Sequence, residues 1–322
     1  MKVLVTGGAG YIGSHSVRLL LDKGYDVVII DNFSTCHYDT MPKMSKFYKV
    51  DLGDIEGIKR IFKKEDIDAV IHFAGFIEAR ESMVNPKLFY RNNVANTINL
   101  LDAMLEYNVK NIIFSSSAAI FGIPKKVPIK EDAEKDPINV YGRTKLIIEN
   151  ILSDYDIAYK LKSISLRYFN ASGAAYGLGE NHKPETHLIP LALQVAIGKK
   201  KNIQVYGTDY PTKDGTCIRD YIHVVDLANA HVLAFERLKK VKRSEQYNLG
   251  SGNGYSVMEV INLAREITKR NIPMIKAKKR AGEPPVLIAD SSKISRVLGW
   301  KPRYFLKDTI KSSWDYVRTI KH

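Results

Sequence analysis

Short runs of Val, Ile, Leu and Phe recur through the first half of the chain, at Lys2–Thr6, Asp26–Asp31, Phe47–Asp51, Ala69–Ala74, Asn111–Ser116 and Ser163–Asn170. The first four are bounded by Gly or Asp and lack strict polar alternation, which predicts strands buried on both faces. Helical spacing fills the intervals. Leu19, Leu20 and Lys23 precede a stop at Gly24, and Pro86 opens a segment to Tyr107 with Val94, Ile98, Leu101 and Leu105 on one face. Strands and helices that alternate with short connections predict an α/β fold built on a doubly wound parallel sheet.

The pattern changes near residue 171. Ala171–Glu185 is rich in Gly, Ala, Asn and His and reads as a long loop, a kind of segment that usually carries function. Beyond it helices and strands mix less regularly, and Ser256 with Glu259 predicts a capping box opening a helix over Val257–Thr268. We therefore expect a dinucleotide-type sheet domain over 1–171 and a smaller mixed lobe over 172–322, with some return of the chain to the sheet. No internal repeat or low-complexity stretch interrupts this plan.

Composition narrows the function classes. Apolar residues form 45% and charged residues 26% of the 322, which fits a folded globular protein. No apolar run reaches the ~18–20 residues a membrane helix needs, so no membrane partner is expected. The amino terminus runs straight into a strand and glycines, unlike a signal peptide. Cys36 and Cys217 match no metal or redox spacing, which suits a reducing cytoplasm. The formal charge is +14, but its basic clusters, Lys199–Lys201, Lys239–Arg243 and Lys276–Arg280, are short and lack interleaved aromatics. Nucleic acid is thus not the expected partner, and part of this charge is available to an anionic small ligand.

Glycines 7, 10 and 13 lie between the first strand and first helix, in Thr6-Gly-Gly-Ala-Gly-Tyr11-Ile12-Gly13. Missing side chains let the backbone turn tightly and approach a pyrophosphate at the helix amino terminus. The next strand ends in Asp31-Asn32, where a carboxylate can accept from ribose hydroxyls and repel a 2′-phosphate. NAD is therefore expected over NADP. Asp51-Leu52 and Phe73-Ala74-Gly75 end the following strands and complete a Rossmann-type crevice.

Tyr141 and Lys145 are four residues apart and share a helix face. Ser115-Ser116-Ser117 ends the preceding strand. An ammonium beside a phenol lowers the phenol's pKa, making Tyr141 a candidate general base for a sugar hydroxyl, with Ser117 orienting the same oxygen. His72 and His223 have no carboxylate or second histidine at ligand spacing, so both read as structural and no metal is expected.

TGGAGYIG (6–13), SSSA (115–118) and YGRTK (141–145) resemble the extended short-chain dehydrogenase/reductase family. DNFS (31–34), HFAG (72–75), NNV (92–94), LRYFNASGA (166–174), YGTDYPTKDGTCIRDYIHVVDLA (206–228) and YNLGSG (247–252) resemble its UDP-sugar 4-epimerases in particular, across essentially the whole chain. The resemblance implies Ser117, Tyr141 and Lys145 as the catalytic set. It places NAD against Gly7, Gly10, Tyr11, Ile12, Gly13, Asp31, Asn32, Phe33, Ser34, Thr35, Cys36, Asp51, Leu52, Phe73, Ala74, Gly75, Asn93 and Phe169, together with the catalytic residues. It places the UDP-sugar against Ser117, Tyr141, Asn170, Leu188, Gln204, Tyr206, Arg219 and Arg280. Arg219 and Arg280 also suit diphosphate oxygens on bare chemistry. It further implies a homodimer packed through helices Pro86–Tyr107 and Tyr141–Ser153. Ala119, Phe121 and Ile77 depart from common family residues. Leu287 stands where some members carry a bulky Tyr, which leaves room for an N-acetylated sugar.

The implied activity is reversible C4 epimerisation of UDP-glucose and UDP-galactose through a transient 4-keto sugar, with the N-acetyl forms as further candidates. The alternatives are a related nucleotide-sugar enzyme, such as a dehydratase or a uronate or pentose epimerase, and a non-catalytic NAD-binding protein. A 4,6-dehydratase commonly carries Asp-Glu after the catalytic hydroxyl, where this chain has Ala118-Ala119.

Overall fold

The computed structural model describes residues 1–35, 45–182, 184–280 and 283–320, so Cys36 lies outside the described residues. Along the chain run β1 (Lys2–Thr6), α1 (Tyr11–Asp22), β2 (Asp26–Asp31), β3 (Lys46–Lys49), α2 (Ile55–Lys64), β4 (Ala69–His72), α3 (Ala79–Val84) and α4 (Pro86–Phe89). A π-helical turn (Tyr90–Ala95) leads into α5 (Asn96–Glu106), β5 (Asn111–Ser117), a 3-10 turn (Ala118–Phe121), α6 (Val140–Tyr159), β6 (Lys162–Tyr168) and β7 (Asn170–Ser172). The rest comprises α7 (Leu188–Ala196), β8 (Ile203–Tyr206), β9 (Ile218–His223), α8 (Val224–Leu238), β10 (Glu245–Leu249) and β11 (Gly254–Ser256). It ends with α9 (Val257–Thr268), β12 (Met274–Ala277), β13 (Val286–Leu287), α10 (Ser292–Leu298) and α11 (Leu306–Thr319). Two compact units emerge: Met1–Gly122, Lys135–Arg167 and Ala228–Tyr247 form one, and Ile123–Glu134, Tyr168–Leu227 and Asn248–His322 the other. Each is discontinuous in sequence.

The first unit is built on a seven-stranded parallel sheet in the order β10-β6-β5-β4-β1-β2-β3. From β1 the chain moves outward to β2 and β3, then returns to the other side of β1 at β4, so β1 and β4 flank the switch point where such sheets bind ligands. The uninterrupted apolar runs are explained by burial on both faces. Leu4, Val28, Val70, Ile112 and Phe114 pack in one core with Leu100, Leu101 and Met104 of α5 and Ile148 and Leu152 of α6. Each such side chain contributes ~1.5–3 kcal/mol when fully buried. Asp54 caps α2 by accepting from Gly57 N at 2.9 Å.

The helix expected without interruption from Pro86 to Tyr107 instead changes register at Tyr90–Ala95. A π turn inserts a residue, and such turns gather at functional sites. It lets Asn93 face the chain after β4: Asn93 Oδ1 accepts from Phe76 N at 2.8 Å, and Nδ2 donates to Phe76 O at 2.9 Å. Periodicity alone does not reveal this, because α4 and α5 on either side keep apolar faces.

In the second unit β9 is flanked by β11 and β13, and also pairs with β7. A separate parallel pair joins β8 and β12. Ile189, Leu193, Val260, Ile261 and Ile310 form its core. The expected capping box is present, with Glu259 N donating to Ser256 Oγ at 3.0 Å and Ser256 N donating to Glu259 Oε2 at 2.7 Å. Buried Asp220 of β9 accepts from Ser251 N at 2.7 Å, Gly252 N at 3.0 Å and Ala289 N at 3.1 Å, tying two loops to that strand. No helix among the described residues is long and apolar enough to cross a membrane.

Candidate active site

The glycine turn sits where sterics demand it. Gly7 has φ +70°, and a side chain there would begin 2.6 Å from Ala74 N, at the end of β4. At Gly13 a Cβ would lie 2.1 Å from Gly7 O, so α1 can approach the turn only without one. Asp31 at the end of β2 accepts from Ala9 N at 3.0 Å and Phe33 N at 2.8 Å. Its carboxylate therefore locks the glycine turn to the Asn32–Ser34 bend. Asn32 Nδ2 donates to Asp51 at 2.6 Å, and Asp51 also accepts from Gly53 N at 2.7 Å. The strand-end residues Asp31, Asn32, Asp51, Ala74 and Gly75 thus stand around one crevice, with Asn93 Oδ1 only 3.3 Å from where a Gly75 Cβ would be. An open glycine turn, an amino-terminal helix end and a carboxylate at the second strand fit a dinucleotide.

His72 is structural, as expected. Its Nδ1 lies 2.6 Å from Thr6 Oγ1 and its Nε2 2.8 Å from Thr97 Oγ1. Thr97 Oγ1 donates to Asn93 O at 2.6 Å, so it accepts from Nε2–H. Burial, with the Lys145 charge adding, pulls the His72 pKa down to about 3. His223, in the second unit, is likewise held, its Nε2 3.0 Å from Ser312 Oγ.

The predicted catalytic set converges at the carboxyl end of β5. Asn139 caps α6, accepting from Gly142 N at 2.8 Å, and Tyr141 N donates to buried Ser82 Oγ at 3.0 Å. Gly142 carries a signal not read from sequence: a Cβ there would lie 2.4 Å from Ala119 O. Glycine at this position lets α6 close onto the 3-10 turn, bringing Tyr141 into hydrogen-bonding reach of Ser117. Lys145, one turn on, donates from Nζ to Ser115 O at 2.7 Å.

The electrostatics correct one expectation. Burial raises the Tyr141 phenol above its ordinary value, the Ser117 hydrogen bond opposes this, and the Glu78 carboxylate reinforces it. Burial pulls the Lys145 ammonium down to about 7, and its Nζ, 5.8 Å from the centre of the Tyr141 ring, donates to the Ser115 carbonyl. Desolvation of two neighbours at once, invisible in a Tyr-x-x-x-Lys spacing, decides the direction.

In the second unit the predicted anion-binding residues form one chain of contacts. Arg280 stacks 4.1 Å from the Tyr206 ring centre, and the Tyr206 hydroxyl donates to Gln204. Arg219 Nη2 donates to Glu283 Oε1 at 3.1 Å, and Arg280 Nη1 lies 3.9 Å from the same oxygen. Sequence reading missed Glu283, which pairs with both guanidiniums. Leu287 of β13 is in register with Arg219 of β9. Asn170 and Leu188 line a cavity of the same unit with Glu180, His187, Tyr221 and Ser313. Phe169 is buried beside them in the chain, its N–H donating to Leu249 O at 3.2 Å.

Comparison with known proteins gives a consistent pattern. The family described as GDP-mannose 4,6 dehydratase matches residues 4–313. A curated UDP-glucose 4-epimerase of Lacticaseibacillus casei is 46% identical over 98% of this chain and 96% of that protein. The crystal structure of UDP-glucose 4-epimerase from Brucella ovis in complex with NAD superposes with TM-score 0.94 at 46% identity, covering 98% of each chain. That from Bifidobacterium longum, in complex with NAD+ and UDP, gives TM-score 0.94 at 41% identity, over 99% of this chain and 98% of the other.

Proposed function

The chain belongs to the UDP-glucose 4-epimerase family, and from that premise we propose that it interconverts UDP-glucose and UDP-galactose at C4 with bound NAD. The single observation that carries this reading is the convergence of Ser117, Tyr141 and Lys145 at the end of β5, in the same unit as the glycine turn and Asp31. When bound, NAD supplies a hydride acceptor and a positive charge that favours the phenolate. The glycine turn and α1 amino terminus would hold the pyrophosphate, Asp31 the adenosine ribose and Lys145 the nicotinamide ribose, and Asn93 and Phe169 would supply further contacts.

Tyr141 Oη takes the proton from the 4-hydroxyl and later returns it, while Ser117 Oγ holds that oxygen in line. Arg219 and Arg280 hold the diphosphate, with Gln204, Tyr206, Asn170 and Leu188 around the nucleotide. The dehydratase description of the family model does not extend to this chain's chemistry, because Ala118 and Ala119 supply no carboxylate after Ser117. Leu287, smaller than a Tyr, leaves room for an N-acetylated hexose as well.

A homodimer through the helical segments Pro86–Tyr107 and Tyr141–Ser153 is part of the same proposal, two-fold pairing being the commonest assembly. Light scattering at micromolar concentration is expected to give twice the chain mass. The deciding assay is incubation of purified protein with UDP-glucose, UDP-galactose and their N-acetyl forms, followed by product separation. Acid release should yield NAD near one per chain. Absence of any C4 epimer, or release of NADP alone, overturns the reading.

A further inference from the structure

Below the catalytic set lies an ion pair that none of the chemistry above uses. Glu149 follows Lys145 by one turn and Tyr141 by two, on the same face of α6. Its carboxylate receives Arg167 of β6 in a fork, Nε at 2.9 Å from Oε1 and Nη2 at 2.6 Å from Oε2. Ser116 Oγ donates to Glu149 Oε1 at 2.5 Å. Side-chain exposure is only 3% for Arg167 and 6% for Glu149, and the guanidinium lies 5.5 Å from the Phe121 ring centre.

Stability alone does not explain such a pair. Two charges withdrawn from water lose most of what their attraction returns, and well-packed apolar residues of similar size often do as well. Geometry is what a bidentate fork supplies, because its planar donors fix both distance and angle. Here it fixes α6 against two strands at once. Consecutive residues of β5 are pinned by consecutive turns of α6: Ser115 O by Lys145 at 2.7 Å and Ser116 Oγ by Glu149 at 2.5 Å. The next residue is Ser117, and the next turn toward the amino end carries Tyr141.

We propose that Ser116, Glu149 and Arg167 are positioning residues that set the Ser117–Tyr141–Lys145 geometry for catalysis. None of the three needs to touch substrate or cofactor. Misplacing reacting groups by about 1 Å can cost ~10²-fold in rate, so a slackened network acts on turnover before binding. This inference rests on the epimerase reading given above.

The test measures kcat and KM for UDP-galactose, NAD content and melting temperature for the wild type, Ser116→Ala, Glu149→Gln, Arg167→Lys and the charge-free pair Glu149→Gln/Arg167→Met. Rates are expressed per folded, NAD-loaded chain, so loss of fold by itself does not register. Ser116→Ala should lower kcat about tenfold, and Glu149→Gln and Arg167→Lys between tenfold and a hundredfold, with KM and NAD content near wild type. The charge-free pair guards against variants that unfold. It should recover melting temperature towards wild type while kcat stays at least tenfold down. Wild-type kcat in Ser116→Ala and in the charge-free pair overturns the positioning role, as does a change confined to KM or melting temperature. A wild type with no epimerase activity instead overturns the functional reading on which the proposal stands.

Discussion

The polar residues at the end of β5 and those around β9 are held in opposite ways. In the first unit Lys145 is 3% exposed, Asn93 1% and Ser116 0%, and their contacts end on backbone or buried partners. In the second, Arg280 keeps a side chain 50% exposed while that of Arg219 is 11% exposed, and one carboxylate, Glu283, serves both guanidiniums. Bond-making chemistry needs groups that are already placed and dry, since reorganisation adds to the barrier. An exposed pair such as Arg280–Glu283 is worth only ~0–1 kcal/mol, so it changes partners at little cost. The first region is fixed, and in the second the Arg280 contact can exchange.

The largest test of that contrast is Tyr141→Phe, which removes the hydroxyl and keeps the ring. Turnover should fall at least ~10²-fold, the usual scale for a lost general base, while NAD remains bound. Steady-state kinetics with NAD quantified after acid release checks it, and near-normal kcat would remove Tyr141 from the chemistry.

Arg219→Met probes the other region. Charge-assisted hydrogen bonds contribute ~1.5–3 kcal/mol, so KM for the UDP-sugar should rise by about tenfold to a hundredfold with kcat changed little. If kcat fell as it does for Tyr141→Phe and KM held, the distinction between fixed and exchanging regions would collapse.

Leu287→Tyr sharpens the comparison within the second unit. Filling an apolar pocket discriminates by ~1–3 kcal/mol per methylene-scale change. The wild type should turn over UDP-N-acetylglucosamine, and the variant should lose most of that rate while retaining UDP-galactose. Absence of N-acetyl turnover in the wild type would show that other side chains fill the space.

The smallest effect lies in the frame of the first unit, away from its chemistry. Glu65, its side chain 1% exposed, accepts from Tyr48 at 2.6 Å and Lys2 at 3.0 Å and pairs with Lys46 at 2.9 Å. Burial opposes ionisation, but the three donors outweigh it and hold the carboxyl down at about 2, below its ordinary 4.5. A depressed folded-state pKa contributes stability above 4.5 that is lost as pH falls towards 2. Urea unfolding should therefore show a gap between wild type and Glu65→Gln at pH 6 that narrows at pH 3. An equal gap at both values would mean that the charge contributes nothing.

Much of this was legible before folding was considered. The strands β1, β2 and β4 and the boxed start of α9 follow from short-range pattern, because burial on both faces and a cap three residues away leave local marks. The glycine turn was legible for the same reason, as sterics at Gly7 and Gly13 act within a few residues. Other features were not. The π turn that aims Asn93 at Phe76 leaves apolar spacing intact on both sides, and Gly142 looks ordinary until Ala119 O is seen 2.4 Å from its missing Cβ.

The sequence by itself determined the family and the parallel sheet and marked the candidate residues for the chemistry, because motif and periodicity are properties of neighbours along the chain. Tertiary structure alone decided their state. Burial made Tyr141 a weaker acid instead of a stronger one, and drew Lys145 down to about 7. Packing joined Ser116, Glu149 and Arg167 beneath the site and set Arg219 and Arg280 on a shared Glu283. Desolvation and charge pairing depend on what surrounds a group in three dimensions, and no spacing along the chain records that.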